Sequence, residues 1–182
     1  MNTKAEVPRE IAVPVSVFRV LMAELEKTAG TLPTVHALHQ AGYQAGATAA
    51  PGLVIKDEKD ETMMEMEESA FWNKLTEFFQ ERGWGTLIHR SPSSAVGILC
   101  SSNWAEASID SNDPTASCFF STGFFSGLLS ELAGSPIAVL EIECRTRGED
   151  ACEFAFGSEG AIHRLYRRLL EGVDLDGALT AL

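Results

Sequence analysis

Three cysteines and two glutamates in the second half of the chain could together form a metal site. Cys144 and Cys152 stand on either side of a Gly-Glu-Asp turn, and Cys118 opens an apolar segment with regularly spaced glycines. Thiolates are preferred zinc ligands in structural sites, and a carboxylate is an acceptable fourth ligand. We therefore expect these cysteines to bind zinc together with a nearby acid, which is either Glu141 or Glu143.

The acidic ligand sets a condition on the backbone of the hairpin. Side chains alternate between the two faces of a regular strand, so Glu141 and Cys144 would point in opposite directions. A β-bulge, or a strand that ends near Glu143, would let both side chains reach one ion. The alternative is that the cysteines are small buried apolar side chains without a metal, which is the role we expect for Cys100 on its apolar strand.

The pattern of apolar and turn residues predicts the elements that carry these side chains. Helices are expected at 15–30, within a segment from 32, before Gly83, from Asp113-Pro114 to Leu132, and at 161–170. Strands are expected at 84–90, 95–100, 136–146 and 151–156, with 104–109 extending the sheet and 50–61 forming a linker. Strand pairs joined by short turns predict an antiparallel sheet and hence an α+β fold. The predicted domain organisation is a loose segment 1–13, one domain over 14–172 and a C-terminal tail 173–182.

Composition excludes several classes of function. The chain has 182 residues, 45% of them hydrophobic, and a formal net charge of −12. This acidic balance argues against binding to a nucleic-acid backbone, which needs clustered Lys and Arg. No apolar run is long enough for a membrane span, and the N-terminus lacks the apolar core of a signal peptide. We therefore expect a cytoplasmic protein with reduced cysteines.

Small and aromatic residues mark a second region of interest. Ala-Gly pairs at 41–42 and 45–46, and the pair Gly123 and Gly127, predict helices that another element can approach closely. The segment after Cys118 also carries more aromatic surface than one helix face needs. This surface forms either part of the core or the wall of a ligand cavity.

The segment 118–156 resembles the 4-vinyl reductase domain family. The resemblance rests on the helix motif C-F-F-S-T-G-F-F-S-G and on the hairpin E-I-E-C-R-T-R-G-E-D-A-C-E-F that follows it. It implies a fold similar to the small core subunits of TRAPP tethering complexes: helices on a four-stranded antiparallel sheet, with homodimers formed through the N-terminal helices. It also implies zinc ligands at Cys118, Glu141, Cys144 and Cys152, so Glu141 is preferred over Glu143.

The resemblance further implies a function. Members of the family sense aromatic effectors in transcription activators, occur in proteins linked to bacteriochlorophyll synthesis, or stand alone as hydrocarbon-binding modules. The histidine with which the sensors hold phenol has no counterpart between Gln40 and Ile88, and Trp104 lies late relative to their pocket tryptophan. The expected pocket residues are Phe119, Phe120, Phe124 and Trp104.

We therefore expect a stand-alone homodimeric module that holds a small hydrophobic or tetrapyrrole ligand and contains structural zinc. One alternative is a TRAPP-like scaffold whose pocket is filled by side chains. Another is an accessory protein in bacteriochlorophyll synthesis. The chain has no dinucleotide-binding fingerprint that would supply a hydride, so an enzyme that acts alone is not expected.

Overall fold

The described part of the chain contains helices and one antiparallel sheet. It is a computed structural model that describes residues 10–54, 67–107 and 118–182. The elements are, in chain order, α1 (Ser16–Ala29), α2 (Thr31–Val54), α3 (Glu68–Glu81), β1 (Ile88–Arg90), β2 (Val96–Ser101), α4 (Phe119–Ala133), β3 (Ala138–Glu143), β4 (Cys152–Gly157), α5 (Glu159–Leu170) and α6 (Leu175–Thr180). The predicted α+β class, with helices on a four-stranded antiparallel sheet, is confirmed.

The sheet separates two apolar clusters. Its strand order is β1-β2-β4-β3, so the two hairpins meet through β2 and β4. Leu99 and Phe154 lie on the face that packs against α2, α3 and α4. Their neighbours Ile98 and Ala155 lie on the opposite face, which α5 and α6 cover. This alternation along each strand is why both faces of the sheet are buried.

Four glycines allow α2 and α4 to pack with their backbones in contact. Gly42 and Gly46 lie on α2, and Gly123 and Gly127 lie on α4. A Cβ atom added at any of them would stand 2.0 Å from a backbone carbonyl oxygen of the other helix. The predicted close approach is confirmed, and the two glycine pairs face each other. No larger residue fits at this crossing without moving one helix.

Two segments differ from their predicted conformation. The linker expected at 50–61 is helical as far as Val54, where α2 continues through Pro51, and the rest of that stretch lies outside the described residues. Helix continues there because Ala50 and Leu53 are buried in the core, and tertiary packing outweighs the local preference of proline.

The sheet extension expected at 104–109 is wrong over its described part. Residues 104–107 form turns, because Trp104 enters the core and Glu106 reaches the start of α4. That helix begins at Phe119, with Cys118 in the N-cap position, and the start expected at Asp113-Pro114 lies outside the described residues. The strand expected to run to 146 ends at Glu143.

The C-terminal residues also pack against the domain. The stretch 173–182, expected to be a tail, contains α6, in which Ala178 and Leu179 are buried beside α5. Asp174 caps this helix by accepting a hydrogen bond from the Gly177 amide at 2.7 Å. Among the residues that the structure describes, no helix has the length and apolar character that crossing a membrane requires.

Candidate metal centre

Four potential ligands from three parts of the chain converge at one buried point. Cys118 precedes α4, Glu141 lies on β3, Cys144 follows β3, and Cys152 begins β4. One ligand atom from each side chain lies within 4.8 Å of all the others. The Sγ atom of Cys118 is 3.9 Å from the Sγ atoms of both Cys144 and Cys152. The structure therefore brings together the whole ligand set that the sequence predicted.

The backbone of β3 meets both conditions that the sequence placed on it. The β3–β4 register shifts between Glu141 and Glu143, which is the bulge needed to turn Glu141 toward the cysteines. The strand also ends at Glu143, so Cys144 lies beyond the strand alternation and precedes a 3₁₀ turn. Glu143 pairs with Glu153 and is outside the cluster. Of the two candidate acids, only Glu141 belongs to the cluster in the described part of the chain.

The carboxylate of Glu141 has the environment of a ligand rather than of a surface acid. Both of its oxygens are buried, and neither has a hydrogen-bond partner among the described residues. Burial, together with the neighbouring Cys144, raises the pKa of Glu141 well above its usual range. A buried carboxylate without partners costs several kcal/mol unless a cation compensates it. The cluster therefore fits a divalent cation.

The thiols support the same assignment. Cys118, Cys144 and Cys152 have no exposed surface. Contacts with the other two thiols, and then burial, raise the pKa of Cys118 well above its usual range. A cation reverses this preference because it stabilises the thiolate directly. Three sulfurs and one carboxylate oxygen form a donor set that zinc accepts in tetrahedral geometry.

A buried carboxylate beside the cluster was not found by sequence reasoning. Glu106 accepts hydrogen bonds from the amides of Phe120 and Ser121, at 3.0 and 2.8 Å, and from the Ser121 hydroxyl. The Trp104 indole donates to the same hydroxyl at 2.8 Å. Glu106 thus binds the first free amides of α4 and holds the start of the helix directly after Cys118. Its only signal in the sequence is an acid within an otherwise apolar stretch.

The ionisation of Glu106 should make stability depend on pH. Burial raises its pKa from 4.5 to about 7, although hydrogen bonds from Ser121 and Phe120 oppose the shift. Because the folded pKa exceeds the unfolded one, this contribution to stability is complete below pH 4.5 and is lost as the pH rises through about 7. Glu106→Gln, which resembles the protonated acid, should remove a loss of about 3 kcal/mol from the pH profile. Urea unfolding of both proteins from pH 4.5 to 7.5 measures the difference. Parallel profiles would contradict the assignment.

A groove of about 710 Å³ lies on the other side of α4. Its apolar lining includes Phe18 of α1, Trp84 after α3, and Phe124 of α4. The rest of the lining is Glu10, Ile11, Ala12, Val13, Val15, Gln44, Ala45, Thr48, Ala49, Phe78, Glu81, Arg82, Gly83 and Ala105. Most of these residues come from the N-terminal segment, α2 and α3, which sequence reasoning did not connect with a pocket.

The four predicted pocket residues have different positions. Phe124 lines the groove. Phe120 does not line it but lies beside it, stacked on Trp84 with ring centroids 5.9 Å apart. Phe119 is half-buried and is not part of the lining. Trp104 is only 1% exposed and packs in the core, so it contacts neither the groove nor solvent.

Comparison with known proteins agrees with this geometry. The family model of the 4-vinyl reductase domain matches residues 106–158, a range that contains all four candidate ligands and Glu106. An uncharacterized protein of Methanocaldococcus jannaschii is 25% identical over 142 residues, which are 78% of this chain and 67% of that protein.

Two solved structures share the fold. The phenol-responsive sensory domain of the transcription activator PoxR, crystallised with phenol, aligns with a TM-score of 0.65 and 14% identity over 82% of this chain and 77% of that one. A vinyl-4-reductase family protein from Methanocaldococcus jannaschii aligns with a TM-score of 0.53 and 18% identity over 81% and 82%. The resemblance seen in the sequence is confirmed: the segment that carries the cysteine cluster belongs to the 4-vinyl reductase domain family.

Proposed function

We propose that this protein is a ligand-binding module that holds a small hydrophobic molecule in the groove and contains structural zinc. The observation that carries the proposal is the groove itself, in which aromatic side chains from separate elements surround about 710 Å³. This volume lies in the range of small-molecule sites, and apolar walls with a few polar groups are typical of them. The phenol-bound sensory domain of PoxR, which has the same fold, supports a role of this kind.

Zinc would link the hairpin to α4. The fit rests on the partnerless carboxylate of Glu141 and on the three surrounding thiols. Because the chain supplies all four ligands, no position is left for substrate, as in structural rather than catalytic sites. α4 carries Cys118 at its start and Phe124 in the groove wall, so the same helix would connect metal and ligand. Thiolate ligands require a reducing compartment, and we place the protein in the cytoplasm.

Filling the groove should abolish binding of an apolar probe. Ala45 lines the groove from α2, whereas Ala41 is exposed one helical turn earlier. We expect the neutral fluorophore N-phenyl-1-naphthylamine to bind saturably to the unaltered protein. Ala45→Phe should weaken its affinity at least about tenfold, and Ala41→Phe should leave it unchanged. Fluorescence titration measures all three, and equal affinities for both variants would mean that the probe binds elsewhere.

A second candidate function, as a dimeric interaction protein, is favoured by the surface of α1. This helix has no buried residue, and its Val17, Val20 and Leu21 are 40%, 57% and 45% exposed. An exposed apolar stripe on one helix is typical of an interface. We propose that α1 joins two copies of the chain, as the resemblance to TRAPP subunits implies. In this candidate the dimer presents the domain to a larger assembly.

Charge on the α1 stripe should separate the dimer. Val20→Asp would place a carboxylate inside the proposed interface, where burial of an unpaired charge is costly. Arg19→Asp, at the exposed neighbouring position outside the stripe, is the matched control. We expect native mass spectrometry to show dimers for the unaltered protein and the control, and monomers for Val20→Asp. A monomeric unaltered protein would exclude this candidate.

A further inference from the structure

The mouth of the groove carries a cation that is held from one side and covered from the other. Arg82 follows α3, and its Nη1 donates to the Phe78 carbonyl at 3.0 Å. Its guanidinium carbon stands 3.7 Å from the centroid of the Phe78 ring. Its Nε lies 3.0 Å from each carboxylate oxygen of Glu10. Arg82 is the only Lys, Arg or His among the described residues that line the groove.

The two sets of contacts differ in strength. The contacts with Phe78 come from the helix that bears Arg82, so they fix the guanidinium whether or not Glu10 is present. Glu10 lies in residues 10–13, which have no regular secondary structure. The Arg82 and Glu10 side chains are 30% and 46% exposed, and an ion pair this exposed adds little stability. Glu10 can therefore be exchanged for another carboxylate at small cost.

The position of Glu10 defines a chemical class of ligand. A guanidinium binds carboxylates through several parallel N–H donors, with more geometric specificity than a lysine offers. Aromatic side chains of the groove, Phe18 and Trp84 among them, would cover an apolar body attached to that carboxylate. The chain as a whole carries a net charge of −12 and the groove also contains Glu81, so recognition of an anion must come from Arg82 itself.

We propose that the ligand of the groove is a hydrophobic carboxylic acid whose carboxylate binds Arg82 in place of Glu10. Its apolar body lies against the aromatic wall that includes Phe124, and residues 10–13 move aside when it enters. This inference rests on the proposed function, because it names the ligand class of the same groove. Glu10 then acts as an internal competitor that keeps the cation paired while the groove is free of ligand.

Two substitutions with opposite effects test the proposal. Isothermal titration at pH 7 would compare 2-naphthoic acid, which is ionised, with the neutral 2-naphthamide of the same shape. In the unaltered protein the acid should bind more tightly than the amide. Glu10→Gln should strengthen acid binding about three- to tenfold and leave amide binding unchanged. Arg82→Gln should remove the preference for the acid, and Arg82→Lys, which keeps the charge without the fork, should retain part of it.

The outcomes separate this inference from the function on which it rests. Equal affinities for acid and amide in the unaltered protein and in Arg82→Gln would leave an apolar binding groove but overturn the carboxylate assignment. Weaker acid binding in Glu10→Gln would overturn the exchange of Glu10 for ligand. Absence of binding for the acid, the amide and the apolar fluorophore would overturn the proposed function as well. Melting temperatures of all variants confirm that each is folded.

Discussion

Cys144→Ser is expected to lose the metal and to lower the melting temperature by at least about 10 °C. Cys144 has no exposed surface and belongs to the four-ligand cluster. Serine removes one thiolate and leaves Glu141 and two cysteines buried without a complete site. Structural zinc contributes binding free energy directly to folding, so its loss costs several kcal/mol. Metal analysis together with differential scanning calorimetry measures both effects.

Cys100→Ser is the matched control for this prediction. Cys100 is half-buried on β2 and lies outside the cluster. We expect this variant to keep its metal and to melt within a few degrees of the unaltered protein. A chelator should lower the melting temperature of Cys100→Ser but leave that of Cys144→Ser unchanged. If the cysteines are only small buried apolar side chains, Cys144→Ser would keep the same metal content as the unaltered protein, and the ligand assignment would fail.

Gly46→Ala is expected to destabilise the fold by about 3 kcal/mol or more. An added Cβ would lie 2.0 Å from the carbonyl oxygen of Phe124 and 2.9 Å from the amide nitrogen of Leu128. Both atoms belong to the backbone of α4, so no rotamer change can relieve the overlap. The helices must move apart, which also shifts Phe124 in the groove wall. Urea unfolding gives the change in stability.

Gly160→Ala provides the control, since it makes the same chemical change inside another helix. A Cβ at Gly160 of α5 would have only the Arg164 guanidinium within reach, at 3.5 Å, and that side chain is flexible. Alanine is favoured over glycine in a helix by up to about 1 kcal/mol. We therefore expect Gly160→Ala to be neutral or slightly stabilising. Similar stabilities for the two variants would contradict the close helix crossing that the structure describes.

The metal site was predictable because its signal is local. The ligand residues are chemically distinctive, and three of them lie within one hairpin, so short-range strand geometry was enough to predict a bulge or an early strand end. The glycine spacing likewise predicted close helix packing. The sequence could not show that α2 and α4 contact each other, because that pairing joins segments about 80 residues apart.

Features that depend on several distant segments were not predictable. The groove combines the N-terminal segment with parts of α2, α3 and α4, and no periodic pattern connects them. Trp104 has the composition of a pocket residue, yet its indole donates to Ser121 inside the core. Glu106 was missed for a related reason: a carboxylate in an apolar stretch gains its role only from the helix amides that it meets in the fold.

The central claim is that Cys118, Glu141, Cys144 and Cys152 hold one zinc ion. Its most direct test is the metal content of the purified protein by plasma mass spectrometry, with the native mass measured on the same sample. We expect about one zinc per chain, since a four-ligand structural site binds a single ion. Protein purified without chelators that contains no metal, and that does not take up zinc when it is added, would contradict the claim.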